Sequence, residues 1–354
     1  MPRFRMRNRM AVPLLLMESG ITYLLRDDFN MDDAAPVASP RTAEPGPGEW
    51  DTSGGTNRFA ISGGELVMSA GASAEEIATI DTYGGNSLAV FKATKNTGLN
   101  TYHGFFPTVS AGLAVSQSGF RSPGGIHPIE NGLRAYVDLN PLTAAIYKSS
   151  DDLHQLYVYD GTNWALVAVD QSSLAAHKFR IRGNSTPDEY DTDFVHIISP
   201  AASLFDPAIE VASPGVGALT DAPDGDIFMQ VAAPSSGAFE LEFRKQDANN
   251  YWLWDVDVTT GEHRLLEYVA GSPTTRITAT VTINSGDTMT LSARGSDITI
   301  WRNNTQDGTY ASATNFQNET GLEVASAGTG TANLNVWKAY ATGTLAAQLN
   351  QAVS

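Results

Sequence analysis

Three carboxylates recur at alternate positions in Glu189-Tyr190-Asp191-Thr192-Asp193. On a β-strand that spacing sets them on one face. Paired carboxylates can serve as general acid and base, or as acid and nucleophile on a glycosidic bond when about 5 to 5.5 Å apart. Here the last position is the short Asp193, and the run Asn184-Ser185-Thr186-Pro187-Asp188 before it is turn chemistry. That context predicts a solvated acidic turn, and no catalytic residue is assigned. Other chemistries lack their residues. The chain has no Cys, which removes disulfides, thiolate metal sites and Cys nucleophiles. It contains no Gly-x-Ser-x-Gly elbow, no phosphate-cradling Gly-x-x-x-x-Gly-Lys and no His-Glu-x-x-His, and its six histidines lie far apart at 103, 127, 154, 177, 196 and 263. Asp224-Gly225-Asp226 and Asp255-Val256-Asp257 offer the hard oxygen ligands that calcium takes, but neither fits the twelve-residue loop of an EF-hand.

A ligand face is better spelled out around residues 251–258. Strand alternation puts Tyr251, Leu253, Asp255 and Asp257 on one side and the apolar set Trp252, Trp254, Val256 and Val258 on the other. The apolar set predicts core. Its counterpart offers an aromatic ring and two acids, which could stack on a sugar and bond its hydroxyls. The same alternation adds Glu240, Glu242 and Arg244 from a neighbouring strand. The plainer alternative is a polar outer sheet face laced by weak cross-strand ion pairs. Tyr157 and Tyr159 are expected to pack on an outer face.

Holding such residues in place requires strands, and period-two alternation broken by Gly, Asn, Asp and Pro dominates the chain. Clear cases are Ser87 to Lys92, Leu133 to Leu139, Gln155 to Tyr159, Lys178 to Arg182 and Phe194 to Ile198, then Ile227 to Val231, Phe239 to Arg244, Tyr251 to Val258, His263 to Val269, Arg276 to Ile283, Thr288 to Ala293, Asp297 to Arg302 and Leu334 to Tyr340. Short strands every 8 to 15 residues or so, without long helical patterns between them, predict antiparallel sandwiches. The 354 residues suffice for two domains. The expected division is a basic arm over 1–26, a first β-sandwich over 27–204, a second over 205–343 and a C-terminal tail over 344–354. Residues 36–57 are expected to meander as a Pro/Gly-rich loop ending near Trp50.

Charge is segregated. Arg3, Arg5, Arg7, Arg9 and Arg26 against Glu18 give residues 1–26 a charge of +4, so a total of −17 leaves −21 for the rest. The acidic body argues against a wide nucleic-acid surface. Arg-rich residues 1–9 lead into Ala11-Val12-Pro13-Leu14-Leu15-Leu16-Met17, a short apolar run with a Pro and no Ala-x-Ala site after it. A retained arm is therefore expected rather than a cleaved signal. Arg3, Arg5, Arg7, Arg9, Leu14, Leu15 and Leu16 are its candidate assembly residues. No stretch approaches a membrane span.

Asp27-Asp28-Phe29-Asn30, Trp50 and Ile61-Ser62-Gly63-Gly64-Glu65-Leu66 resemble the first strands of concanavalin A-like (laminin G-like) jelly rolls. The order Arg244 to Trp252, Gly261 to Leu265, Thr288 to Ile300 and Asn335 to Ala339 is similar to later strands of that superfamily. Hairpins such as Tyr157 to Trp164 resemble those of phage tail and fibre proteins. The insert at 36–48 and the segment 99–131 depart from the pattern. This resemblance implies sugar binding, glycoside hydrolysis or passive structural and adhesive use, and a loop-end calcium in some members. It leads to the expectation of a non-enzymatic virion component, of tail, fibre or head-decoration type, that assembles with other copies of itself and with other virion proteins through the arm and contacts surface glycans. The alternative is an extracellular carbohydrate-binding protein or glycoside hydrolase. No obligatory cofactor is expected.

Overall fold

The structure is a computed structural model, and it describes residues 22–29, 41–43, 46–51, 59–69, 75–81, 83, 85–97, 101–107, 118–121, 127–129, 140–149, 153–171, 177–183, 189–199, 209–211, 216–218, 225–303, 305–341 and 343–353. The arm residues Arg3, Arg5, Arg7, Arg9, Leu14, Leu15 and Leu16, the strand expected over Leu133 to Leu139, and Asp224 lie outside them.

Two antiparallel sandwiches account for nearly all the described backbone. In the first, one sheet runs in the order Trp164–Gln171, Leu153–Tyr159, Leu142–Lys148, Ser87–Thr97, Glu189–Ser199, Glu65–Met68 and Phe59–Ser62, with Thr22–Asp27 also paired to Glu189–Ser199. The facing sheet is built on Thr101–Pro107, His177–Gly183 and Glu75–Thr79. Residues 22–26, assigned to the arm on charge alone, thus form part of this sandwich. Residues 36–57, expected to meander, contain the short strands Arg41–Thr42 and Glu49–Asp51. What holds them is Trp50, fully buried, whose Nε1 donates to Asp27 Oδ2 at 2.8 Å. The unplaced segment 99–131 supplies Thr101–Pro107, Ser118–Arg121 and His127–Ile129.

The inward residues of the first pair of sheets make a core that includes Trp50, Phe91, Phe105, Phe179 and Ile197. His103 is wholly buried there, stacked on Phe91 at 5.1 Å with Nε2 3.0 Å from Thr192 Oγ1. Burial pushes its pKa down to about 3, so it sits in the core as a neutral ring.

The second sandwich places Leu334–Lys338, Ile227–Ala232, Thr288–Arg294, Asp297–Arg302 and Thr305–Tyr310 in one sheet. Gly321–Ser326, Ala238–Asp247, Asn250–Asp257, Glu262–Val269 and Ser272–Thr280 lie in sequence across the other. Trp252, Trp254 and Val256 point inward with Phe239, Leu241 and Phe243, as alternation predicts.

The two sandwiches are packed together by a third apolar cluster. Leu88, Val90, Tyr147, Tyr157, Trp164 and Leu166 on the outside of the first meet Phe228 and Trp337 from the second. Backbone bonds cross the seam, from Leu166 N to Ala339 O and from Ala341 N to Trp164 O, each at 2.8 Å. The 344–354 segment, expected as a tail, forms the helix α1 (Gly343–Ala352) and brings Leu345, Leu349 and Ala352 into the same cluster. Its apolar residues recur at i, i+4 and i+7, one helical face, over only ten residues. Among the described residues no helix is long and apolar enough to cross a membrane.

Candidate functional site

Tyr251, Asp255, Asp257 and Glu242 do share one outer sheet face, where pairing puts Glu242 beside Leu253, and Tyr251 beside Tyr268. Each is already engaged within the chain. The Tyr251 ring stacks on Tyr268 at 4.4 Å and carries Lys245 on the side, 5.8 Å from its centroid. Lys245 Nζ also donates to Glu242 Oε2 at 2.5 Å and to Glu323 Oε2. Asp255, only 1% exposed, accepts two bonds from Arg264, whose Nη1 lies 2.9 Å from Glu262. Burial raises the Asp255 carboxyl against the pull of Arg264, and Asp257 and Glu262 push it further up. Asp257 accepts from the backbone N of Thr259 at 2.8 Å and closes the turn.

Arg244 departs from the alternation. The pairing of Ala238–Asp247 with Asn250–Asp257 is irregular between Phe243 and Asp247, and Arg244 adopts φ +45°. This bulge turns its side chain inward, to 1% exposure, rather than onto the outer face. Tyr157 is buried in the seam between sandwiches. Of the oxygen ligands suited to calcium, Asp226 Oδ1 is occupied by Arg244 Nη2 at 3.0 Å and by Gly295 N at 2.8 Å. Among the described residues no group of three His, Asp or Glu gathers to hold a metal ion.

A more open arrangement lies at the acidic run. A cleft of about 330 Å³ is lined by Arg26, Asp28, Glu65, Asp193, Phe194 and His196, together with Gly63, Gly64 and Val353. Three stretches of the first sandwich meet there, beside Val353 at the end of α1. The strand Thr22–Asp27 pairs with Glu189–Ser199 so that Arg26 lies opposite His196. The Phe59–Ser62 and Glu65–Met68 hairpin turns through Gly63 and Gly64, at φ +66° and +87°, values that favour glycine and suit a tight two-residue hairpin. Finally, the pairing of Glu189–Ser199 with Ser87–Thr97 skips Asp193. Thr192 and Val195 face the core, and the skipped residue lets Asp193 and Phe194 both face out.

The acidic run is therefore strand, not turn, and its carboxylates are separated by function. The side chain of Glu189 lies outside the described residues. Asp191 accepts from Asn96 Nδ2 at 2.9 Å, and Asp193 is bonded by Lys92. Asp193 Oδ1 makes no hydrogen bond to a described residue. Burial raises the Glu65 carboxyl, Asp193 and Asp191 raise it further, and Lys92 offsets part of this. Glu65 can thus donate a proton in a hydrogen bond at a higher pH than an ordinary carboxyl.

His196 joins two elements. Its Nδ1 lies 2.6 Å from Ala352 O and its Nε2 2.5 Å from Asp28 Oδ1. The ring thus ties the C-terminal end of α1 to Asp28. For Asp28, burial alone would raise the carboxyl, but the hydrogen bond and charge of His196, then Arg26, outweigh it and hold it below 3.8. A carboxyl depressed on folding lends stability above its unfolded value and loses it as pH falls through the lower folded one. Acidification below about pH 3.8 should therefore loosen α1, measured as faster amide exchange over 345–352, and Asp28→Asn should show that loosening already at neutral pH. Unchanged exchange in the variant would contradict the link.

No family model and no curated protein matches the chain. Solved structures do. The chain is similar to the carbohydrate binding module CBM66 from Bacillus subtilis, at 17% identity over 38% of this chain and 81% of that one, with a TM-score of 0.26. Caenorhabditis elegans galectin LEC-6 aligns at 12% identity over 36% of this chain and 94% of its own, with a TM-score of 0.29. The kappa-carrageenase from Pseudoalteromonas carrageenovora, solved with an oligotetrasaccharide of kappa-carrageenan, covers 55% of this chain and 99% of its own at 12% identity and a TM-score of 0.30. Each likeness is partial, and the architecture of antiparallel sandwiches is read from the chain's own strand pairing.

Proposed function

We propose that this chain is a non-enzymatic glycan-recognition protein that holds a sugar in the cleft between Asp28, Glu65 and Asp193. One observation carries the reading: about 330 Å³ of open cleft brings acceptors (Asp28, Asp193) and a donor (Arg26) around one aromatic ring, Phe194. A sugar hydroxyl both donates and accepts, so a wall of mixed polarity suits a polyhydroxylated ring, and an aromatic side chain supplies its apolar contact. The volume is at the small end of ligand pockets. Asp28 is held by His196 and Asp193 by Lys92, which suits them as hydrogen-bond acceptors rather than proton-abstracting bases. A glycan array should find ligands, and incubation of a ligand with the protein should release no reducing ends. Release of reducing ends would overturn the non-enzymatic part, and an empty array would overturn the binding part.

The sequence favours a second role beside it, adhesion as part of a virion or other assembly, because a +4 arm precedes a body of −21. Arginine forks pair well with carboxylates on neighbouring copies. Deleting residues 2–20 should leave the circular dichroism unchanged and abolish assembly in light scattering. Normal assembly of the truncated chain would contradict that role.

A further inference from the structure

The helix α1 stands between the cleft and the seam, and the same side chains serve both. Val353, the residue after α1, lines the cleft together with Phe194, and both also pack against the seam cluster. Leu345, Leu349 and Ala352 are buried in that cluster, and Trp164 Nε1 donates to Asn350 Oδ1 at 3.0 Å. At the other end, His196 stands between helix and cleft. Its Nδ1 lies 2.6 Å from Ala352 O and its Nε2 2.5 Å from Asp28 Oδ1, while its ring packs on Phe194 with centroids 4.8 Å apart. Two cleft groups, Asp28 and Phe194, are thus positioned by a ring that the end of α1 holds.

The attachment of α1 is weak for an element in so central a place. Ten residues are too few for a helix to persist alone in water. Its first turn has no acid and its last turn no base to offset the helix dipole. Gln348 is 7% exposed, and its Oε1 is buried without a hydrogen-bond partner among the described residues, which costs free energy on docking. Docking rests chiefly on the three buried apolar side chains and the bonds to Asn350 and Ala352. Elements held in this way belong to the low-stability end of a fold. A helix that docks or undocks as a unit gives the cleft two states, one walled by Val353 with Asp28 and Phe194 in place, and one without that wall.

We propose that docking of α1 completes the cleft, so that the helix is a strap through which sugar binding and the packing of the seam reinforce each other. A sugar in contact with Val353, Phe194 and Asp28 binds the docked state better than the undocked one, and by linkage it holds the helix down to the same degree. The nature of the ligand rests on the glycan reading above, whereas the coupling stands on the contacts of His196, Phe194 and Val353.

Calorimetry and amide exchange of the full-length chain test it, with the β-methyl glycosides of glucose, galactose and N-acetylglucosamine as probes. A probe that binds should, at saturation, slow exchange over 345–352 about fivefold or more in the parent chain. Asp193→Asn, which weakens binding at the cleft without touching α1, should remove most of that slowing at the same probe concentration. Leu349 and Asn350 face the seam and Trp164 and do not line the cleft. Leu349→Ala and Asn350→Ala should nevertheless each weaken the probe about fivefold or more, with the circular dichroism of the sandwiches unchanged. The coupling is overturned if a probe binds the parent and leaves exchange over 345–352 unaltered, or if both helix variants bind it like the parent. If none of the three probes binds the parent, the glycan reading fails and the strap with it.

Discussion

Replacing Trp337 by alanine should cost about 3 to 5 kcal/mol, the usual loss for a buried Trp, and should split one unfolding transition into two. Trp337 is 4% exposed on the strand Leu334–Lys338, with Phe228 at 6.0 Å on one side and the outer face of the first sandwich on the other. A seam this apolar holds domains as one unit, whereas thinner and more polar seams allow relative motion. The backbone bonds between 164–166 and 339–341 depend on that packing to exclude water. Differential scanning calorimetry would read the result directly. A single, barely shifted transition in the variant would mean that the two sandwiches are coupled elsewhere.

His263→Leu should be as damaging, at about 3 to 5 kcal/mol, because it strands a buried carboxylate. Trp254 Nε1 donates to His263 Nε2 at 2.8 Å, so Nε2 accepts and the ring proton must sit on Nδ1, which donates to Asp307 Oδ2 at 2.7 Å. Asp307 is 3% exposed, with Arg302 Nε no nearer than 4.0 Å. Without the imidazole, both the Trp254 donor and the Asp307 carboxylate are left in the core. Burial pulls the His263 pKa below 6.5, against the opposing hydrogen bond and charge of Asp307. The unfolded chain therefore binds a proton that the folded chain does not, and stability falls as pH drops below about 6.5. His103 acts with the same sign. Urea midpoints at pH 7.5 and 5.5 should separate in the parent chain and separate less in the variant, and equal separation would contradict this assignment.

Alternation made the sandwiches legible, and it placed Trp252, Trp254 and Val256 inside with Tyr251, Asp255 and Asp257 outside. It failed wherever one extra residue entered a strand. At Asp193 a bulge put two neighbouring side chains on the same face, and at Arg244 a bulge drew a cation expected on the surface into the interior. A bulge carries no compositional mark in a sequence of mixed Thr, Asp and Phe, so the candidate cleft depends on a feature that periodicity cannot show. Gly63-Gly64 was a usable signal, since two glycines in a hairpin imply a tight turn, but nothing local said that Glu65 beyond it would meet Asp193. His196 was equally hidden, because its partners Asp28 and Ala352 lie 168 and 156 residues away. The helix α1 was overlooked because ten residues with apolar positions at 345, 349 and 352 carry too weak a stripe to stand out from a tail. It folds on the surface of the first sandwich, and that surface is what makes it helical.

The central claim is that sugar is held in the Asp28, Glu65 and Asp193 cleft and not on the outer face of the second sandwich. Isothermal titration of the best array ligand into the parent chain and into Asp193→Asn, Phe194→Ala and Tyr251→Ala tests it most directly. The account predicts at least a tenfold loss, about 1.4 kcal/mol, for Asp193→Asn and for Phe194→Ala, with Tyr251→Ala binding like the parent. Tight binding retained by both cleft variants and lost in Tyr251→Ala would contradict it.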